Sequence, residues 1–136
     1  MKIGILIVAH YRLGEELLQA ARLIVPQAHQ FRSVAIEPRQ SVDEMRSVIA
    51  EGLAQVDDGD GVLILTDMFG GTPSNISLSF TTERRVEVVT GVNLPMLIKL
   101  ATLGEEKSLE DLAIFIKEYG QRNISVASEI LPEGRR

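Results

Sequence analysis

Short apolar runs of strand length alternate along this chain with longer stretches that have helical periodicity. The runs at residues 3–9 and 62–66 are apolar nearly throughout. Continuous apolar strands are typical of a parallel sheet, because its crossover connections place helices over both faces. The alternation therefore predicts an α/β fold, with a parallel four-stranded sheet covered by helices on both faces.

The four predicted strands lie at residues 2–9, 32–37, 62–66 and 86–90. Residues 123–130 alternate only partly between apolar and polar side chains, which favours a half-exposed strand at an edge of the sheet. Residues 132–136 are predicted to form a loose tail, so that a single domain covers residues 1–131.

Local start and stop signals delimit the predicted helices. Pro26 ends the first helix, and Ser41 with Glu44 forms a capping box that opens the second. Thr72 is predicted to be the N-cap of a further helix that runs to about residue 80, with Pro73 at its first position. The last helix begins after Ser108, and Gly120 is expected to end it.

Composition and charge narrow the classes of partner. A chain of 136 residues with 45% hydrophobic residues is long enough to bury one core. Its net charge of −5 argues against nucleic acid or an anionic membrane surface as partner. The absence of cysteine fits a reducing compartment, and the apolar run at the N-terminus is too short to cross a membrane. We therefore expect a cytoplasmic protein with no direct membrane insertion.

Two residues with chemical potential directly follow the first and third predicted strands. These are His10 and Asp67. Ligands of open α/β sheets bind beyond the carboxyl ends of the strands, where both residues would lie. If Asp67 accepts a hydrogen bond from one ring nitrogen of His10, the other nitrogen is left free to act as a nucleophile. The carboxylate would also stabilise the cationic ring that forms on attack. The pair predicts uptake and transfer of a phosphoryl group.

A glycine turn follows Asp67 closely. Gly70 and Gly71 allow positive φ angles that turn successive backbone N–H groups toward an anion, and the Thr72 hydroxyl adds a donor. These three residues are the predicted phosphate-binding site. A simple turn followed by a helix cap is the alternative interpretation.

Several neighbours of the pair form a candidate surface for a protein partner. Arg12 either steers a phosphorylated partner or is an exposed arginine at a helix start. Four apolar residues at the same edge are predicted to complete the docking surface: Met68, Phe69, Pro95 and Met96. For Met96, packing in the core is an equal alternative.

Three segments together resemble a known family. They are Ile-Val-Ala-His at residues 7–10, Thr-Asp-Met-Phe-Gly-Gly-Thr-Pro-Ser-Asn at 66–75, and Gly-Val-Asn-Leu-Pro-Met-Leu at 91–97. The chain resembles the IIA domain of the mannose-type sugar phosphotransferase system over residues 1 to about 130. The three motifs occur in the right order, which makes the resemblance specific.

The resemblance implies a phosphocarrier. The histidine matching His10 receives a phosphoryl group from phospho-HPr and passes it to a IIB partner, with Asp67 hydrogen-bonded to the ring. The loop of Gly70, Gly71 and Thr72 would hold the phosphate, and no metal or organic cofactor is needed. A fifth, antiparallel strand exchanged between two subunits is also implied, and with it a homodimer.

Two departures from the family pattern bear on partner choice. Relatives often have glycine directly after the histidine, whereas this chain has Tyr11. The chain also shows no linker or IIB domain after the IIA domain, which implies either a separate acceptor or a regulatory role.

Three alternatives to sugar uptake remain open on the sequence. One is a regulatory binding module that is switched by phosphorylation of His10. Another is a phosphoryl donor for dihydroxyacetone kinase. A nucleotide-binding domain is the third, but the sequence contains neither Gly-x-Gly-x-x-Gly nor a Walker-type Gly-Lys-Ser/Thr motif.

Overall fold

The computed structural model describes residues 2–131, and the tail predicted at 132–136 lies outside the described residues. Its strands are β1 (Gly4–His10), β2 (Arg32–Ile36), β3 (Val62–Thr66) and β4 (Val86–Thr90). Its α-helices are α1 (Leu13–Ile24), α2 (Val42–Val56), α3 (Thr72–Leu78), α4 (Leu94–Thr102), α5 (Leu109–Arg122) and α6 (Ala127–Ile130). A 3-10 helix covers Pro26–Gln30.

The four strands form one parallel sheet in the order β2-β1-β3-β4. In the central pair, Gly4 is opposite Val62 and Val8 is opposite Thr66. The strand β1 therefore extends two residues beyond its last partner in β3. This register brings the end of β1 and the residue after β3 to the same edge of the sheet.

The side chains of β1 alternate between two buried clusters. Ile5 and Ile7 pack with residues of α1, α4 and α5 on one face of the sheet. Leu6 and Val8 pack with residues of α2 and α3 on the other. Successive side chains of a strand point to opposite faces, so an apolar strand needs a cover on both sides. The predicted sheet with helices on both faces is confirmed.

The capping box of α2 is also confirmed. The Ser41 hydroxyl accepts from the Glu44 backbone N–H at 3.1 Å, and the Glu44 carboxylate accepts from the Ser41 backbone N–H at 2.8 Å. The hydrogen bond from the Ser41 backbone, followed by that involving its side chain, lowers the pKa of Glu44. Two reciprocal bonds satisfy N–H groups that a helix start otherwise leaves without a partner.

Three predicted helix boundaries are wrong. The N-cap of α3 is Gly71 rather than Thr72, because the Gly71 backbone is extended and its carbonyl already accepts from the Asn75 N–H. Helix α3 ends at Leu78 rather than at about residue 80. Gly120 lies buried inside α5, where its missing side chain makes room for Met96.

The edge strand predicted at residues 123–130 does not form within the single described chain. Residues 127–130 form the single helical turn α6, and the sheet contains no strand from this segment. Its apolar side chains, Ile124, Val126 and Ile130, are exposed. Alternation alone does not specify a strand, because a strand also has to pair with a sheet edge, and this segment does not pair with β4 of its own chain.

Candidate functional site

His10 and Asp67 are in direct contact at the carboxyl edge of the sheet. Oδ2 of Asp67 lies 2.7 Å from Nδ1 of His10 and accepts from the His10 backbone N–H at 3.0 Å. The His10 side chain is 48% exposed, whereas that of Asp67 is 10% exposed. The largely buried carboxylate thus contacts the Nδ1 side of the imidazole, and the ring itself is about half exposed.

Opposing effects act on the Asp67 carboxyl. Its burial favours the protonated form, but the hydrogen bonds from the backbone and ring of His10 and the attraction to that ring outweigh burial, so the pKa of Asp67 is lowered. A carboxylate that stays ionised can accept a proton-bearing Nδ1. In the neutral tautomer this leaves Nε2 without a hydrogen and able to attack an electrophile.

The glycine turn lies against the free edge of the imidazole. A Cβ on Gly71 would stand 3.0 Å from Cε1 and 3.5 Å from Nε2 of His10. Gly70 has a φ of 85°, as predicted, whereas Gly71 has a φ of −84° and needs no glycine for its backbone conformation. A Cβ at Gly71 would therefore crowd the imidazole, although the backbone conformation would accept a side chain.

Thr72 lies at the first residue of α3, next to this turn, and it is exposed. The structure thus brings together five of the residues predicted from the sequence: His10, Asp67, Gly70, Gly71 and Thr72. Backbone N–H groups, one hydroxyl and the exposed ring nitrogen share one small region. This is a set of groups that can receive the oxygens of a transferred phosphoryl group.

The predicted docking residues divide into surface and core. Met68 and Phe69 are exposed, and Pro95 is partly exposed. Arg12 is exposed at the start of α1. Met96 is buried, with its sulfur against Gly120, so its assignment to the surface is wrong. Its position in the first turn of α4 directs it into the core.

Two features of this edge escaped prediction. The backbone N–H groups of Gly91 and Val92 both donate to the Thr66 carbonyl, at 2.8 and 2.9 Å, and so tie the loop after β4 to the end of β3. Asn93 caps α4 by accepting from the Met96 N–H. An asparagine before Leu-Pro is a recognisable cap signal. The pairing of Gly91 and Val92 with Thr66 has no local signal, because it joins a loop to the end of a strand that is distant in sequence.

Tyr11 departs from the family pattern in its side chain, and its backbone is unusual as well. It has a φ of 50°, which places a tyrosine in the left-handed region. Nothing in the sequence around it signals this conformation.

Among residues 2–131, no group of three or more His, Cys, Asp or Glu side chains is arranged to hold a metal ion. No helix in the described chain is both long and apolar enough to cross a membrane.

Comparison with known proteins gives consistent matches over most of the chain. Residues 4–117 match the EIIA-man family, described as "PTS system fructose IIA component". The fructose-specific EIIA component of Bacillus subtilis (strain 168) is 29% identical over 130 residues, which cover 95% of this chain and 89% of that protein. The mannose-specific EIIAB component of Escherichia coli (strain K12) is 28% identical over 126 residues, which cover 91% of this chain but only 39% of the longer protein.

Solved structures agree with the sequence matches. The mannose/sorbose-specific IIA subunit of the phosphotransferase system from Enterococcus faecalis superposes with a TM-score of 0.86 at 27% identity, covering 98% of each chain. The EIIA component from Streptococcus agalactiae gives a TM-score of 0.82 at 25% identity, covering 93% of this chain and 98% of that one. On the family match over residues 4–117, this chain belongs to the EIIA-man family of phosphotransferase-system IIA components.

Proposed function

We propose that this chain is a phosphocarrier of a sugar phosphotransferase system, with Nε2 of His10 as the atom that carries the phosphoryl group. The observation that carries the proposal is the 2.7 Å contact between Nδ1 of His10 and Oδ2 of Asp67. It engages one ring nitrogen and leaves the other at the surface, beside the turn at Gly71. Family membership supports the same activity.

The transfer step follows from this arrangement. The Nε2 lone pair attacks phosphorus of phospho-HPr, a P–N bond forms to His10, and the bond from phosphorus to the donor breaks with its electron pair going to the donor. The Nδ1 proton stays in the hydrogen bond to Asp67. The ring gains positive character on attack, and the adjacent carboxylate stabilises that charge. Transfer to a IIB partner is the same displacement in the opposite direction.

The turn after β3 supplies the groups that hold the phosphoryl oxygens. The backbone N–H groups at Gly70 and Gly71 and the exposed Thr72 hydroxyl are the candidates, because the Gly71 backbone lies within reach of the Nε2 edge of the ring. Donors placed where charge develops contribute most to the rate of phosphoryl transfer. No metal or organic cofactor enters the proposed step.

The surface around His10 is the proposed docking site for HPr and the IIB partner. Met68 and Phe69 expose large apolar side chains there, and Pro95 is partly exposed. Arg12 contributes positive charge at the rim. An apolar centre with a charged rim is typical of an interface between proteins. We place the protein in the cytoplasm, and the absence of cysteine suits that reducing compartment.

We also propose that two copies of the chain form a homodimer by exchange of the segment at residues 123–130. The outer edge of β4 is unpaired in the described chain, and a cavity of about 460 Å³ lies between β4 and α5, lined in part by Val88, Ala113 and Ile114. The apolar side chains of residues 124–130 are exposed in the single chain. A strand from a second copy would pair with the outer edge of β4 and cover the cavity, and its own apolar side chains would be buried there.

Radiolabel transfer tests the phosphocarrier role. Labelled phosphoenolpyruvate, enzyme I and HPr are incubated with the native protein and with His10→Ala. We expect acid-labile label on the native protein and none on the variant. Equal labelling of the two proteins, or no label on either, would contradict the proposal. Subsequent addition of candidate IIB proteins, or of dihydroxyacetone kinase, identifies the acceptor. If the label is transferred to none of them, the result favours a regulatory switch.

Light scattering coupled to size exclusion tests the homodimer. The native protein is expected to elute at twice the mass of one chain. Ile114→Asp, which places a charge in the cavity beside β4, should shift the protein toward the monomer. Glu118→Gln, an exposed change on the same helix, is the control and should leave the mass unchanged. A monomeric native protein would refute the exchanged strand.

A further inference from the structure

Tyr11 lies at this edge of the sheet, and the packing of the fold gives no reason for a large side chain at its backbone position. Among residues 2–131 it is the non-glycine residue with a positive φ, at 50°. In this region the Cβ of an L-residue crowds the carbonyl oxygen, so a large side chain is retained only against backbone strain. Such strain is concentrated at functional sites, where the surroundings hold the residue in place.

The hydrogen bonding of Tyr11 does not require a tyrosine. Its backbone N–H donates to the Ile36 carbonyl at 3.0 Å, a bond that glycine would make equally well. Its side chain is 62% exposed and so contributes little to the core. The ring contact within the chain is with Arg12, whose Cζ lies 5.6 Å from the ring centroid. An exposed aromatic ring is therefore kept at a strained position without evident benefit to the fold.

The position of Tyr11 suggests what the ring does instead. It directly follows His10 at the end of β1, so its exposed side chain belongs to the same edge of the sheet as the proposed phosphorylated residue. The guanidinium over its ring has no ion pair with an acidic side chain in the part of the chain that is described. Tyrosine and arginine are the residue types that most often dominate the binding energy of protein interfaces.

We propose that Tyr11, with Arg12 stacked on its ring, is a specificity-determining residue for docking of the phosphoryl-donating protein; this inference rests on the phosphocarrier function proposed above. The donor arrives with a phosphoryl group that carries about two negative charges. The acceptor arrives without one. A cation held on an aromatic ring at this edge of the sheet therefore favours the loaded donor, and the ring adds an apolar contact to the interface.

The test compares a protein donor with a small donor. Initial rates of His10 phosphorylation are measured with phospho-HPr and, separately, with phosphoramidate, for the native protein, Tyr11→Gly, Tyr11→Phe and Arg12→Gln. Leu23→Ala is the control, since this exposed residue lies near the far end of α1. Circular dichroism and urea unfolding establish that each variant is folded.

For Tyr11→Gly we expect the KM for phospho-HPr to rise about tenfold, with less than a threefold change in the rate from phosphoramidate. Tyr11→Phe keeps the ring and should stay within threefold of the native KM. Arg12→Gln should raise the KM and weaken its dependence on salt. Leu23→Ala should behave as the native protein with both donors.

Three results would overturn the inference. An unchanged or lower KM for phospho-HPr in Tyr11→Gly would show that the ring does not aid docking. Equal slowing with both donors would assign Tyr11 to the chemistry at His10 rather than to recognition of the donor. A native protein labelled by phosphoramidate but not by phospho-HPr would refute the proposed function itself, and the inference with it.

Discussion

Oδ2 of Asp67 accepts two hydrogen bonds from one residue, from the backbone N–H of His10 at 3.0 Å and from its Nδ1 at 2.7 Å. The backbone bond fixes the end of β1 relative to the end of β3, and the ring bond fixes the imidazole on that frame. One oxygen atom therefore determines both the position and the orientation of the nucleophile. The other oxygen, Oδ1, is buried and has no hydrogen-bond partner in the described chain.

Replacing this carboxylate tests how much the orientation and charge matter. Asp67→Asn removes the negative charge that stabilises the ring on attack and no longer enforces one tautomer. We expect the rate of phosphorylation from phospho-HPr to fall about 100-fold or more. The measurement is single-turnover labelling at saturating donor, with circular dichroism as the check on folding. A folded Asp67→Asn protein that is labelled at the native rate would exclude the orienting role.

The two glycines of the turn are expected to respond differently to alanine. In Gly71→Ala the new methyl group would meet Cε1 of His10 at 3.0 Å, while a φ of −84° suits alanine. Stability should change by less than about 1 kcal/mol, and labelling should fall at least about tenfold because the methyl group takes the space beside Nε2. Gly70→Ala meets no atom within 4 Å but has a φ of 85°. It should cost about 1–2 kcal/mol of stability through backbone strain.

Urea unfolding and radiolabelling of both variants distinguish these expectations. The decisive comparison is between the loss of labelling in Gly71→Ala and the loss of stability in Gly70→Ala. Crowding beside the ring slows transfer, whereas backbone strain lowers stability. Native transfer rates in a folded Gly71→Ala protein would mean that the turn does not contact the phosphoryl group.

The lowered pKa of Asp67 predicts how stability responds to acid. A carboxyl whose folded pKa lies below its unfolded value, ordinarily about 3.9, stabilises the fold above that unfolded value. This contribution is lost as the pH falls through the folded pKa. Urea unfolding of the native protein and of Asp67→Asn from pH 3 to pH 7 measures it. The gap between the two unfolding free energies should narrow as the pH falls below about pH 4. If the difference in unfolding free energy widened on acidification, the pKa of Asp67 would be raised by folding and not lowered.

The first residue of β1 tests the packing of the sheet against α2. A Cβ on Gly4 would overlap the carbonyl oxygen of Val56, the last residue of α2, and backbone atoms cannot move aside cheaply. Gly4→Ala should therefore cost about 3 kcal/mol or more, or prevent folding. Gly104→Ala, which meets nothing within 4 Å, is the control and should be neutral or stabilising by up to about 1 kcal/mol. Thermal unfolding of the two variants measures both effects, and equal melting temperatures would contradict the prediction.

Local patterns predicted much of this fold and part of the site. The central strand β3 was predicted with its observed ends, because an apolar run bounded by a glycine and an aspartate has few other interpretations. Ser41 and Glu44 specify the start of α2 through their own hydrogen bonds, three residues apart. His10 and Asp67 were identified because each follows an apolar strand. In all these cases the determining interactions lie within a few residues.

The tertiary structure decided what depends on distant neighbours. Only the pairing of β1 with β3 shows that His10 and Asp67, 57 positions apart, share two hydrogen bonds, at 2.7 and 3.0 Å. Only packing shows that Met96 is buried while Phe69 is 74% exposed, although both belong to apolar segments at the same edge. The left-handed backbone of Tyr11 and the unpaired segment after α5 likewise have no local cause. A sequence determines the period and polarity of each element, but contacts between elements depend on how the whole chain packs.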